Sequence, residues 1–314
     1  MKIFFRIIIS LALLIFLYFK INWQGLGDVL ISARWSYVCL SFFALLFAWL
    51  INSYKWQFIL KPFGLARPVI YLFKLNLITF FYSLVLPGGQ LVGEVLKCLH
   101  LAKNEQEKSL FIFSVFLDRL TGFLAYVLLG FVALVFSVVP VTVKLTFLTI
   151  FGAIIIIALI GYLAIFSHGL SHWLTKIIIH LSWGRKIHSF LSAIKQKSVF
   201  NFSLVHILAI TCLSLLFQLV VSFYVYLAAQ SLGIPIGLVD IVWIFSLISV
   251  ILVIPLTYAG FGLREGGFVY LLSFFGIAGS SAFSLSLLVF FIGALVAALG
   301  GFWLLIKGIG PSLK

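Results

Sequence analysis

"LPGGQLVGEVLK", residues 86–97, decides how this chain is read. Pro87, Gly88, Gly89, Gly93, Glu94 and Lys97 fall within this one stretch, with apolar sequence on both sides. Helix breakers and charges so close together need a reason in such surroundings.

Those surroundings fix the class. The chain is 64% hydrophobic and 17% aromatic, with only 9% charged residues, and its mean hydropathy is +1.29. No folding of such a composition covers a core with a polar surface, so an integral membrane protein is expected. Apolar stretches of about 20 residues, the length that crosses a bilayer, recur at 3–19, 37–51 with an extension to 54, 110–137, 145–166, 203–229 and 282–306. Two more, 69–101 and 241–276, are interrupted by Pro and Gly. The expected fold is all-α: a single integral membrane domain over 1–314, a polytopic bundle of about six spanning helices plus two broken helical hairpins, with an inverted repeat as one arrangement. The first helix is expected to be retained, because no small-residue cleavage pattern follows it.

Positive charge orients the helices. Lys2 and Arg6, then Lys55, Lys61, Arg67 and Lys74, then Lys103 and Lys108, mark cytoplasmic ends. The basic connection 167–202, with Lys176, Arg185, Lys186, Lys195 and Lys197 and no acid, marks another, and Lys307 and Lys314 place the C-terminus inside. On this scheme 69–101 leaves the cytoplasm and returns to it, whereas 241–276 leaves and returns to the outside. The second tip, "IPLTYAGFGLREGGF" (254–268), resembles the first: Pro, then glycines, then an acid and a base on a short apolar helix. Irregular backbone at membrane depth belongs where it is buried in protein or lines a wet cavity. Paired broken segments of opposite orientation are a sequence sign of a transporter's central site.

Only seven acids occur, and Glu94, Asp118 and Glu265 lie inside apolar sequence, each beside a base: Lys97, Arg119 and Arg264. One charge at mid-bilayer costs roughly 2.5–3.5 kcal/mol on the insertion scale, so these groups are expected to meet one another or water. Glu94 and Lys97 share a face at i, i+3. Asp118–Arg119 and Arg264–Glu265 diverge by about 100° on a helix, so each is expected to seek a partner elsewhere. Glycines ahead of a helix also expose N–H groups to an anion. The candidate substrate-binding residues are Gly88, Gly89, Glu94, Lys97, Asp118, Arg119, Gly260, Gly262, Arg264 and Glu265; the alternative is an ion-pair network that only fixes helix register.

No catalytic or cofactor signature accompanies them. Cys39, Cys98 and Cys212 are isolated apolar-segment cysteines. His168, His172, His180 and His188 fall in the basic connection, where a solvated role outweighs metal binding. Metal-protease, phosphate-loop, dinucleotide and nucleophile-elbow motifs are missing, so no cofactor or metal is expected. The net charge of +14 is explained by the cytoplasmic leaflet without nucleic acid: Leu170, Trp173, Ile177 and Leu181, then Ile187, Phe190, Leu191 and Ile194, recur at helical spacing among the bases of 167–202, which suits helices on an anionic surface.

Three motifs in order, "LPGGQLVGEVLK", "SVFLDRLTGF" (114–123) and "IPLTYAGFGLREGGFVYLL" (254–272), resemble the lysylphosphatidylglycerol synthase transmembrane-domain family, also called flippase-like. The resemblance covers nearly the whole chain. It implies a multi-pass bacterial or archaeal inner-membrane protein that moves lipids between leaflets, either aminoacylated phosphatidylglycerol or lipids of polyprenyl-linked sugar pathways. It carries over to Pro87, Gly88, Gly89, Gly93, Glu94 and Lys97; to Asp118, Arg119 and Gly122; and to Gly260, Gly262, Arg264, Glu265 and Gly266. Asp118 stands where many relatives have Glu. The aminoacyl-transferring members carry a soluble catalytic domain after the membrane part, so synthesis by residues 1–314 alone is not expected. A lipid flippase is favoured; a membrane enzyme on a lipid phosphate and a non-transporting partner of a lipid or glycosyltransferase pathway are the alternatives.

Overall fold

The computed structural model describes residues 32–86, 90–102, 105–166, 204–253, 257 and 260–307. The expected first helix at 3–19, the tip residues Pro87, Gly88 and Gly89, and the basic connection 167–202 lie outside the described residues.

Every regular element described is helical: α1 (Trp35–Leu60), a 3-10 turn (Lys61–Phe63), α2 (Val69–Val85), α3 (Gln90–Leu101), α4 (Glu105–Phe136), α5 (Val141–Phe166), α6 (Leu204–Ser231), α7 (Leu238–Val253), α8 (Leu263–Ser273) and α9 (Gly279–Lys307). Helices satisfy their backbone polar groups internally, as a lipid solvent demands. Among the described residues, four are long and apolar enough to cross a membrane, namely α1, α4, α6 and α9, and three shorter apolar stretches are Val69–Val85, Val141–Ile157 and Leu238–Val253. The protein is a polytopic all-α membrane bundle.

Both interrupted regions are pairs of helices. α2 ends because Leu86 precedes a proline, which disfavours helical backbone; Leu86 is extended, at φ −86° and ψ 141°. α8 starts at Gly262, whose φ of 86° is open to glycine and strained for other residues. α2 and α3 pack together, as do α7 and α8.

The spine is the antiparallel pair α1 and α6. Arg34 N–H donates to Ser231 O at 2.8 Å, Ser41 Oγ to Tyr224 O at 2.7 Å, and the Phe58 and His206 rings meet near the other end. Around this spine α4 packs on α7, α2 on α9, α3 between α2 and α4, and α8 between α7 and α9, with α5 on α4. One core joins Trp243 and Ile248 of α7, Val225 and Ala228 of α6, Phe268 of α8 and Leu285 of α9. A second gathers Trp56 and Ile59 of α1, Leu72 of α2, Cys98 of α3 and Phe111 of α4. Phe43, Phe136, Ile157 and Leu305 remain exposed, a surface suited to lipid and unsuited to water.

One boundary corrects the charge map. α1 continues past Asn52 and Ser53 to Leu60, so Lys55 is not in a cytoplasmic loop. It is wholly buried, because the apolar residues Trp56, Ile59 and Leu60 after it extend the membrane helix.

Candidate functional site

The larger polar cluster carries its charges on three helices, α1, α3 and α4. On α3, Glu94 and Lys97 fall one turn apart, and both are buried; Lys97 Nζ is 3.6 Å from Glu94 Oε2. That ammonium also donates to Asn76 Oδ1 of α2 at 2.7 Å and lies 3.5 Å from the centroid of the Trp56 ring. Asn76 Nδ2 in turn donates to Ser53 Oγ of α1 at 2.8 Å, and Trp56 Nε1 donates to Ser114 Oγ of α4 at 3.2 Å. Each contact orients the lysine and satisfies a buried polar group, as low-dielectric surroundings require.

Gly93 makes this arrangement possible. A Cβ there would come within 2.7 Å of Thr79 O on α2, so only glycine lets α3 lie close enough for Lys97 to reach Asn76.

On α4, Asp118 and Arg119 point to different partners, as their angular separation requires. Arg119 Nη2 pairs with Glu94 Oε1, and Asp118 Oδ1 is 3.0 Å from Lys55 Nζ of α1. Lys55 also donates to Asp118 O at 3.4 Å. Four of these five side chains are at most 10% exposed, whereas that of Arg119 is 45% exposed. The ionic chain therefore opens at Arg119. One turn further along α4, Gln218 Nε2 of α6 donates to Gly122 O at 3.3 Å, and Gln218 Oε1 has no hydrogen-bond partner among the described residues.

Arg264 and Glu265 form a second group. Arg264 Nη2 is 2.5 Å from Glu265 Oε1, so the expectation that these neighbours seek partners elsewhere is corrected. The reason is the helix start: Glu265 folds back to accept the Gly262 N–H at 2.6 Å, which caps α8 and brings its other oxygen under the long arginine. Arg264 Nε further donates to Ser286 Oγ of α9 at 3.1 Å, and its guanidinium lies against Phe290 and Phe261. Glu265 is fully buried.

The six charges expected to meet thus divide between two groups, and among the described residues no ion pair joins them. Aromatic side chains stand between: Tyr126, Tyr224 and Phe268 surround Phe245, with ring centroids 6.3 to 6.5 Å apart. Gly260 and Gly262 form the turn into α8 with positive φ. Gly88 and Gly89 are not described.

Sequence reasoning missed Lys55, Ser53, Asn76, Gln218 and Ser286. For Lys55 a signal existed: it is followed by an apolar run, the same criterion that singled out Lys97, Arg119 and Arg264. The others are neutral, and nothing in one sequence distinguishes them from polar residues on any helix. Among the described residues no group of three or more His, Cys, Asp or Glu could hold a metal ion.

A family model described as Lysylphosphatidylglycerol synthase TM region matches residues 3–301. No curated protein matches the chain significantly.

Proposed function

The chain belongs to the lysylphosphatidylglycerol synthase transmembrane family, and on that premise we propose that it carries a lipid headgroup between leaflets, with the α1–α3–α4 ionic cluster as the headgroup's station. The observation that carries this reading is the exposure of Arg119. Lys55, Lys97, Glu94 and Asp118 are sealed inside the protein, yet the arginine at the end of their chain is nearly half open. A network that only fixed helix register gives no reason to leave so much of one guanidinium exposed, and Arg264 beside Glu265 is 11% exposed. An arginine presents a planar fork suited to a phosphate.

A lipid must be reached from two sides, and an inverted repeat supplies that. Three glycines and one glutamate recur at a constant spacing of 171: Gly89 and Gly260, Glu94 and Glu265, Gly122 and Gly293, Gly130 and Gly301. Exchanging α1 with α6, α2 with α7, α3 with α8 and α4 with α9 carries each helix contact of the bundle onto another, α5 and the 3-10 turn apart. The glycines follow: a Cβ at Gly130 would meet Ser246 of α7 at 2.8 Å, and one at Gly301 would meet Phe81 of α2 at 2.7 Å. These correspondences support α2–α3 and α7–α8 as hairpins entering from opposite sides.

The cargo is an anionic or aminoacylated phospholipid or a polyprenyl-linked lipid, and the location is a bacterial or archaeal plasma membrane with both termini cytoplasmic. The basic segment 167–202 is assigned to the anionic cytoplasmic leaflet. The test is translocation of fluorescent phospholipid in proteoliposomes, comparing the native protein with Arg119→Gln. Translocation by the native protein that the variant abolishes supports the reading; native translocation no faster than in protein-free vesicles refutes it.

A further inference from the structure

Buried oxygens need hydrogen-bond partners. Among the described residues, Asp118 Oδ1, Gln218 Oε1 and Ser222 Oγ have none, and they belong to α4 and α6, which pack together beside Lys55 of α1. Asp118 Oδ1 at least keeps its ionic contact with Lys55 Nζ at 3.0 Å. Gln218 and Ser222 fall one turn apart on a buried face of α6 that also carries Ser214, whose hydroxyl is taken up by Ile210 O at 2.8 Å. Turning the Gln218 amide round does not mend the vacancy at Oε1. Its Nε2 donates to Gly122 O at 3.3 Å, and a flip would set oxygen against oxygen. Tyr126, which interacts with Gln218 and with Ser249 of α7, leaves that oxygen unsatisfied.

The donor side of the same seam is short of acceptors. A lysine ammonium has three N–H groups, and the wholly buried Lys55 makes a hydrogen bond to Asp118 O at 3.4 Å and lies 5.7 Å from the centroid of the Phe217 ring. Between the ammonium and the amide stands Gly122. A Cβ there would meet Gln218 Nε2 at 3.8 Å and Lys55 Nζ at 3.9 Å, both ordinary contact distances. The missing side chain therefore leaves a methyl-sized space with polar walls. Empty cavities in proteins are apolar, whereas small polar ones hold water.

We propose that Gly122 is a buried hydration site: water sits between α1, α4 and α6, accepts from Lys55 Nζ, donates to Gln218 Oε1 and continues along α6 to Ser222 Oγ. Residues one turn apart on a helix have Cβ atoms about 5–6 Å from each other, a gap that water bridges. The site answers the shortage on both sides, giving the ammonium an acceptor besides Asp118 and giving two stranded oxygens a donor. It also explains how a lysine is held at membrane depth, where a charge must meet a partner or water. Through Gln218, Tyr126 and Ser249 the same hydration joins the ionic cluster to α7, the helix that carries Phe245 between the two charged groups. The site is a property of the bundle and stands apart from the identity of any lipid carried.

The experiment reads the sign of a stability change, which is opposite for an empty space and a filled one. Native protein, Gly122→Ala, Ser222→Ala and the double variant are melted in phosphatidylcholine nanodiscs. Were the space empty, Gly122→Ala would fill it with a better helix former and Ser222→Ala would delete an unpaired buried hydroxyl, so neither would lower the melting temperature. With water bound, Gly122→Ala displaces it and Ser222→Ala removes one of its partners. Each should then lower the melting temperature by about 2 °C or more, and the double variant should fall no further than Gly122→Ala alone. A rise or no change in either single variant, or additive losses in the double variant, overturns the proposal. Should Gly122→Ala fail to fold, Ser222→Ala, which removes a single oxygen, decides by its sign. A structure of the native protein in nanodiscs, at a resolution that shows ordered water, should carry an isolated density within hydrogen-bond reach of Lys55 Nζ and Gln218 Oε1. A void there, or a lipid chain, overturns the site as well.

Discussion

Arg264 and Glu265 are neighbours in sequence and partners in space, with Nη2 2.5 Å from Oε1 at the first turn of α8. Glu265 also caps that helix through the Gly262 N–H, and Arg264 reaches across to Ser286. The pair closes α8 onto α9 and leaves little of the guanidinium open, so it acts as a rivet. Arg264→Gln should strand a buried carboxylate at a cost of about 3–5 kcal/mol, lowering the melting temperature in detergent and lipid translocation together. Arg264→Lys should be milder on both. A Lys variant that melts like the native protein yet moves no lipid would return Arg264 to the headgroup site.

Arg119 is expected to behave in the opposite way. It bonds Glu94, and the side chain is nearly half exposed. Arg119→Lys keeps the charge opposite Glu94 but loses the planar fork, so melting should change little while translocation falls by about tenfold or more. Parallel loss of both would mean that Arg119, too, serves only the fold.

The contrast between these arginines marks what one sequence can disclose. Glu94, Lys97, Asp118, Arg119, Arg264 and Glu265 were legible because a charge in apolar sequence is costly wherever it lies. Their grouping was not, since it depends on helix crossings. Glycine at 93 and the turn at Gly262 set how deeply α3 and α8 enter the bundle, and those depths decide which charges meet. Helix existence was legible from length and hydropathy, but the end of α1 was not: Asn52, Ser53 and Lys55 read as a polar terminus until Asn76, Asp118 and Lys97 of other helices are seen beside them.

Gly93 offers a test of that depth. Its missing side chain brings α3 against Thr79 O, and the Lys97–Asn76 bond of 2.7 Å depends on the approach. Gly93→Ala should push α3 outward, removing a hydrogen bond to a charged group worth about 1.5–3 kcal/mol. Melting temperature should fall, and Asn76→Ala made in the Gly93→Ala background should add little, because the bond is already gone. Additive losses from the two substitutions would show that Gly93 acts through something other than Lys97.

Topology provides the remaining test, because a return of α2–α3 to its own side would fix which faces the later loops occupy. Ala66, between α1 and α2, is exposed, and Val138, between α4 and α5, is 82% exposed. If residues 69–101 form a hairpin, the single crossing by α4 separates these positions, with Ala66 on the cytoplasmic side beside Lys61 and Arg67. Cys39, Cys98 and Cys212 are free thiols and are first replaced by Ala. Ala66→Cys and Val138→Cys are then treated in intact cells with a membrane-impermeant maleimide. Val138→Cys should react from outside, and Ala66→Cys only after the membrane is opened. Reaction of both in intact cells would make 69–101 a net crossing. The Arg264 tip and the Glu94 tip would then enter from the same side, and an inverted repeat could not hold.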